Sequence, residues 1–284
     1  MYKNGGNALH FFIIKIPCCN IKLELILNYL CKNIFSVLRY FIKLAYNGTH
    51  YHGWQYQPNA ISVQEKLNTV LSTLLQEKID IMGAGRTDTG VHASQMYAHF
   101  DTNVSIDNLK LIHKANSFLP NDIVIFDIIP VHDTAHARFD ATSRTYQYHI
   151  TTFKNVFNTH LAWYLNKELD VTLMNEAAKN LLNFTDFESF SKVNTEVNNF
   201  NCNVTAAFWA IENDTLIFTI SANRFLRNMV RAIVGTLVNV GLHKISLNDF
   251  KTIIESKNRE NAGFSVPAQG LFLTNIQYPY LENT

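Results

Sequence analysis

Two hydrophobic rhythms alternate along the chain from about residue 38 onward. Tyr40-Phe41-Ile42-Lys43-Leu44-Ala45-Tyr46 reads as a strand and closes on the turn pair Asn47-Gly48. Residues 62–75 place Val63, Leu67, Val70, Leu71 and Leu74 on one helical face, and Ser62 with Glu65 has the spacing of a capping box. Strands are expected at 79–82, 96–100, 123–128 and 145–151. The pattern then predicts a helix over 172–182 and a hairpin of 206–211 with 215–220 across Asn213-Asp214. Helices follow over 224–240 and 247–256, and a strand over 271–277.

Strands alternate with helices, yet several neighbouring strands read as hairpins. That mixture predicts an α+β fold with a mainly antiparallel sheet. The order strand–helix–strand of residues 40–82 recurs loosely over 145–220, so two similar halves sharing one sheet are expected.

The first 37 residues break the rhythm. FFIIKIPCCNIKLELILNYLCKNIFSVL is apolar, but Lys15, Lys22, Glu24 and Lys32 interrupt it. No uninterrupted apolar run approaches the roughly 20 residues of a membrane helix. The order of a secretory signal is missing too. Residues 1–37 are therefore read as an extension. The organised chain divides into an N-terminal half, 38–144, and a C-terminal half, 145–284.

Composition narrows the classes further. Of 284 residues 47% are hydrophobic, as in an ordinary globular protein, and the formal charge is +1, so no global basic field advertises a partner. Cys18, Cys19, Cys31 and Cys202 have no C-x-x-C spacing, which points to reduced thiols in a cytoplasmic protein. His132 and His136 stand four apart but lack the H-E-x-x-H context, so no metal is expected.

The chemistry is concentrated in residues 83–101, GAGRTDTGVHASQMYAHFD. Asp88-Thr89-Gly90 is the tripeptide of aspartic proteases, but those need two carboxylates sharing a proton, and no second D-T-G or D-S-G exists. Arg86 is also wrong for that role, because a nearby cation favours the ionised form of an acid. Gly85 and Gly90 have phosphate-loop spacing, but Val91-His92 stands where Lys-Ser/Thr is required. What remains is an ionised Asp88 acting as a nucleophile or charge stabiliser, or a carboxylate that caps a turn. Glycines at 83, 85 and 90 would permit positive φ and close approach of a substrate.

The motif GRTDTGVHA resembles the catalytic motif of the TruA family of tRNA pseudouridine synthases. Four further regions resemble that family in order. They are Tyr46–Gln55 with Ser62–Leu67 after it, Ala137–Ala141 with Arg144–Tyr148, Asn223–Gly235, and Ala268–Leu273. The blocks span roughly Leu38 to Tyr278. The family commonly has Asp-Ala-Gly where this chain has Asp-Thr-Gly, and residues 92–96 depart mildly from its pattern.

The resemblance implies a pseudouridine synthase fold of two ferredoxin-like halves with the active-site cleft between them. It implies isomerisation of uridine at nucleotides 38, 39 and 40 of the tRNA anticodon stem-loop, by a homodimer, with no cofactor and no metal. Asp88 would be the catalytic carboxylate, acting at ribose C1′ or on the base. Arg86 would support a flipped-out nucleotide. Tyr146 would stack on the uracil, and Arg231 would pair with Asp88. Arg144, Arg224 and Arg227 would bind substrate, the last two through phosphates. The rival reading is a noncatalytic RNA-binding module. Such a module has no need for a carboxylate at a face that meets phosphate, so Asp88 discriminates against it.

No matched residue lies in the extension. A chain beginning at Ser36 is therefore expected to stay soluble and to modify tRNA at close to the full-length rate. A soluble but inactive product would reveal an RNA-binding arm in the missing segment.

Overall fold

The computed structural model describes residues 37–193 and 197–281. Expectations for residues 1–36, including the role of Cys18, Cys19 and Cys31, fall outside them. The first half comprises β1 (Leu38–Tyr46), α1 (Val63–Leu75), β2 (Met82–Gly83), β3 (His92–Thr102), α2 (Asn108–Phe118) and β4 (Ile123–Val131). The second comprises β5 (Ser143–Thr151), the short β6 (Trp163–Tyr164), α3 (Val171–Asn180), β7 (Val204–Glu212), β8 (Thr215–Ala222), α4 (Met229–Gly241), α5 (Leu247–Glu255) and β9 (Leu271–Gln277).

All the strands join one sheet in the order β4-β1-β3-β9-β5-β8-β7, with β2 on β3 and β6 on β5. The first half is a β-α-β-β-α-β unit, and the second repeats it with β6 and α5 added and with the same internal order of its four main strands. The first reads β4-β1-β3-β2 and the second β9-β5-β8-β7. The two ferredoxin-like halves expected from the sequence are therefore present. Their pairings are antiparallel, except that β3 and β9 meet in parallel, as do β5 and β6.

That parallel seam positions everything that follows. One edge of β3 is filled by β1 from Thr102 to Ala93, with a register shift between Leu44 and Tyr46. The other edge is shared. β2 pairs with it at Ala98 and His99, while β9 pairs with it only at His92 and Ala93. Between those contacts the backbone ladder is interrupted, and the Gln95 Oε1 accepts the Ile276 N–H at 2.7 Å in its place. The loop 84–91 leaves β2 at this fork and returns into β3 at His92.

Two cores flank the seam. In the first half, Phe41, Ile42, Leu44, Trp54, Leu67, Leu71 and Phe100 are buried. In the second, α4 lies under Tyr148, Phe187, Phe190 and Phe218, and only its Arg231 and Asn239 keep appreciable exposure. Each buried aliphatic side chain of α4 contributes about 1.5–3 kcal/mol. An arginine in such a helix must find a partner.

Several boundaries differ from those expected. The helix expected from Arg224 begins at Met229. The Asn223 side chain accepts the N–H groups of Asn203 (2.7 Å) and Arg224 (2.9 Å), and Asn228 is left-handed at φ 67°, so residues 223–228 form a loop. The strand expected at 79–82 reduces to Met82–Gly83, although Ile79 and Ile81 are buried. Ser72 and Asn68 of α1 accept the N–H groups of Ile79 and Ile81 at 2.8 and 3.0 Å, replacing a neighbouring strand. Ser62 does cap α1, its Oγ accepting from Glu65 at 3.2 Å, while the complete reciprocal box sits at α5 between Ser246 and Asp249. The hairpin turn is as expected, with Asn213 and Asp214 both at positive φ. Helix α2 was not expected from the pattern.

Candidate active site

Asp88 stands at the fork in the sheet, on a loop built from below by the segment 46–54. Trp54 N–H donates to the Thr87 carbonyl at 3.3 Å, and Gly90 N–H donates to the Tyr51 carbonyl at 3.3 Å. The Tyr46 hydroxyl lies 2.9 Å from Thr87 Oγ1. Gly53 has φ +88°, and a Cβ there would fall 2.2 Å from the Thr87 oxygen. The segment at 46–55 is thus the bed on which the aspartate loop lies. Of the three loop glycines, Gly90 (φ +78°) needs the left-handed region and Gly83 makes room for the Trp54 indole. Gly85 has neither a positive φ nor a neighbour, so its expected backbone role is absent.

Across the fork, the second half supplies cations. Arg231 Nη1 donates to Asp88 Oδ2 at 3.3 Å, with side-chain exposures of 20% and 30% that leave the pair open to a ligand. Arg231 is itself held from behind, its Nε donating to the Val266 carbonyl at 2.7 Å. Arg227, in the loop before α4, places Nε 4.0 Å from Asp88 Oδ1. The carboxylate therefore faces two guanidinium groups, one fixed and one largely exposed.

Tyr146 on β5 completes the wall. Its ring packs edge-on against Phe225 with centroids 5.1 Å apart. Burial pushes its phenol up to about 12, with a smaller contribution from Asp88 in the same direction. The phenol is thus a neutral donor at physiological pH. Tyr148, on the same strand, is fully buried and donates to the Pro267 carbonyl at 2.7 Å.

The remaining candidates divide by what holds them. Arg86 is exposed and makes no hydrogen bond or ion pair among the described residues. Arg224 is half-buried and donates to Asn199 Oδ1 at 3.2 Å. Arg144, grouped with the substrate-binding residues from sequence, has its guanidinium turned inward. Its Nη1 donates to the carbonyls of Asn223 (2.9 Å) and Ala141 (3.4 Å), and its Nη2 to those of Arg138 (2.7 Å) and Ala84 (3.0 Å). It ties the root of the aspartate loop to the second half. Burial lowers its pKa, though an arginine so placed remains a cation.

His92 is a further tie that the sequence reading passed over. Nδ1 accepts the Gly48 N–H at 3.0 Å, so the proton sits on Nε2, which donates to the Gln269 carbonyl at 3.2 Å. Burial lowers the pKa of this imidazole and favours the neutral tautomer that both bonds require. Its position at the head of β3, beside a D-T-G loop, was the available signal.

The i, i+4 pair His132 and His136 is otherwise engaged. His136 Nδ1 accepts the N–H groups of Arg138 and Phe139, and His132 Nδ1 lies 2.9 Å from Thr134 Oγ1. Among the described residues no group of three His, Cys, Asp or Glu could hold a metal ion. Cys202 is buried, and burial pushes its thiol up to about 11.

The chain can be set beside known proteins. The tRNA pseudouridine synthase family profile matches residues 177–279. A tRNA pseudouridine synthase A of Bacteroides fragilis is 53% identical over 246 residues, covering 86% of this chain and 98% of that protein. The chain belongs to the tRNA pseudouridine synthase A family. The Parabacteroides distasonis synthase is 51% identical over 85% of this chain and 96% of its own length. The Bacillus subtilis synthase is 38% identical over 83% and 97%. No helix among the described residues is long and apolar enough to cross a membrane.

Proposed function

We propose that this chain isomerises uridine to pseudouridine at nucleotides 38, 39 and 40 in the anticodon stem-loop of tRNA. The observation that carries the reading is the carboxylate of Asp88, held by the first half and opposed by Arg231 of the second at 3.3 Å. The reaction is an isomerisation. The N1–C1′ bond breaks, the C5–C1′ bond forms, C5 loses a proton and N1 gains one, so no oxidant or external group is required.

In this reading the two halves are the walls of the cleft, with the boundary expected at 144/145 moved to the start of β5 at Ser143. Asp88 acts at ribose C1′ or on the base, with the Arg231 guanidinium paired to it at 3.3 Å. Tyr146 offers its ring to the uracil, with its neutral hydroxyl as a hydrogen-bond donor beside it. Arg86, with no partner to give up, enters the space of the flipped nucleotide. Arg144 supports the loop. The enzyme works in the cytoplasm as a homodimer, with tRNA lying across both subunits. The test is tRNA from cells lacking this protein, mapped for pseudouridine in the anticodon arm. Retention of pseudouridine at all three nucleotides would refute the reading.

Arg224 and Arg227 are expected to separate under salt. Arg224 makes a phosphate contact only, so Arg224→Ala should flatten the log–log salt dependence of tRNA binding by about one unit and leave the rate at saturating tRNA unchanged. Arg227 also faces Asp88, so Arg227→Ala should lower both. Binding titrations from low to high salt, with single-turnover rates at saturation, check this. Identical behaviour of the two variants would contradict it.

A further inference from the structure

Arg259 is a half-buried cation with no carboxylate within ion-pair distance among the described residues. A guanidinium held that way normally has an anion or a carbonyl cluster to answer it. Here its donors converge on a single segment. Nη1 donates to the Gly263 carbonyl at 3.0 Å and more weakly to Ala262 at 3.4 Å, and Nη2 donates to Ser265 Oγ at 3.0 Å.

That segment, residues 262–267, is a strap across α4. It is pinned along its length. Gly263 N–H donates to Thr236 Oγ1 at 2.9 Å, Asn228 Nδ2 donates to Ser265 Oγ, and Tyr148 donates to the Pro267 carbonyl. Gly235 lets it lie flat, since a Cβ there would fall 2.0 Å from the Phe264 oxygen. Its centre is Val266, which is bonded twice to one residue. Val266 N–H donates to the Arg231 carbonyl at 3.3 Å, and the Val266 carbonyl accepts from Arg231 Nε at 2.7 Å. The second bond fixes the plane of the guanidinium whose Nη1 meets Asp88.

We propose that Arg259 is a positioning residue for the reaction: it braces the strap 262–267 and, through Val266, holds the Arg231 guanidinium against Asp88. The proposal deepens the functional reading given above and rests on it for its kinetic arm. Arg259 lies outside the cleft motifs and touches no group that meets substrate. Its effect therefore reaches the chemistry by geometry alone. Loosening the strap frees Nε of Arg231, the fork rotates, and the charge opposite Asp88 is no longer fixed when the glycosidic bond breaks.

The test compares Arg259→Gln, Arg259→Lys and Ser265→Ala on a tRNA transcript. Arg259→Gln is expected to lower kcat about tenfold, since a small misplacement of a catalytic group has effects of that order, with KM for tRNA unchanged. Arg259→Lys keeps a charged donor for Gly263 or Ser265 and should recover part of the loss. Ser265→Ala, which removes one acceptor with little disturbance of packing, should lower kcat by a smaller factor in the same direction. In an Arg231→Lys background Arg259→Gln should add less than about twofold, because coupled residues are not additive.

An arm independent of activity is the Arg231 Nε–H resonance, assigned by its loss in Arg231→Lys. It should exchange slowly in the native protein and quickly in Arg259→Gln. An unchanged kcat, a raised KM in its place, full additivity with Arg231→Lys, or an unaltered resonance would each overturn the proposal. A lower melting temperature with kcat intact would do the same. If the native protein forms no pseudouridine while the resonance responds, the functional reading fails and the positioning role stands.

Discussion

Asp88→Asn is expected to bind tRNA at least as well as the native protein and to form no detectable pseudouridine. Asparagine keeps the shape of the side chain and the loop beneath it. It removes the charge that faces Arg231 at 3.3 Å and Arg227 at 4.0 Å. Loss of a group on which the chemistry depends lowers rates by about a thousandfold or more. Binding has the opposite sign. Two guanidinium groups lose their neutralising anion and become available to phosphate, so affinity at low salt should rise. Single-turnover rates with enzyme in excess, set beside binding titrations, give both quantities. Turnover within tenfold of native would remove Asp88 from its role. A large loss of affinity would show that the carboxylate organises the RNA site and does not perform chemistry there.

Gly53→Ala should be nearly as damaging although residue 53 meets no substrate in the proposed cleft. The substitution combines two effects. A left-handed φ of +88° is strained for alanine by about 1–3 kcal/mol. The new Cβ would also lie 2.2 Å from the Thr87 carbonyl, so the residue preceding Asp88 must move. A displacement of about 1 Å at a catalytic group lowers rates roughly a hundredfold. The expected result is that loss in kcat, a lower melting temperature, and tRNA affinity within a few-fold of native. Gly85→Ala is the matched control, since nothing lies within 4 Å of its would-be Cβ. Equal losses in the two variants would mean that the loop is not supported from below in the way described.

The contrast between those two glycines marks the limit of what the sequence discloses. Periodicity located most strands and all three helices of the second half, because their apolar faces are continuous. It passed over α2, where only Leu111 and Ala115 are buried while Leu109 and Phe118 point to solvent and blur the stripe. It extended α4 back to Arg224, because the side-chain bonds of Asn223 and the left-handed Asn228 leave no mark on hydrophobic spacing. The candidate residues Asp88, Arg231 and Tyr146 were legible from motif order. The direction of a guanidinium was not. Arg144 and Arg224 stand in equally suggestive motifs, yet one is turned onto four carbonyl oxygens and the other lies at the rim. Arg259 and His92 were missed for the same reason, since their partners are backbone atoms that any sequence would supply and, for Arg259, a serine hydroxyl that no motif marks.

The place of β9 bears on the order in which the protein is made. This strand follows every other strand in the chain, yet it occupies the middle of the sheet and alone joins β3 to β5. The strap that holds Arg231 immediately precedes it. Leu273, Ile276 and Tyr278, in and just after β9, also fill the core of the first half, so during synthesis that core stays incomplete and the edge at His92 and Ala93 open until the last strand arrives. Until then Asp88 is present without its opposing arginine in place. A chain that stops before β9 thus has an unsatisfied strand edge and no assembled chemistry, and translation must pass β9 before the catalyst exists.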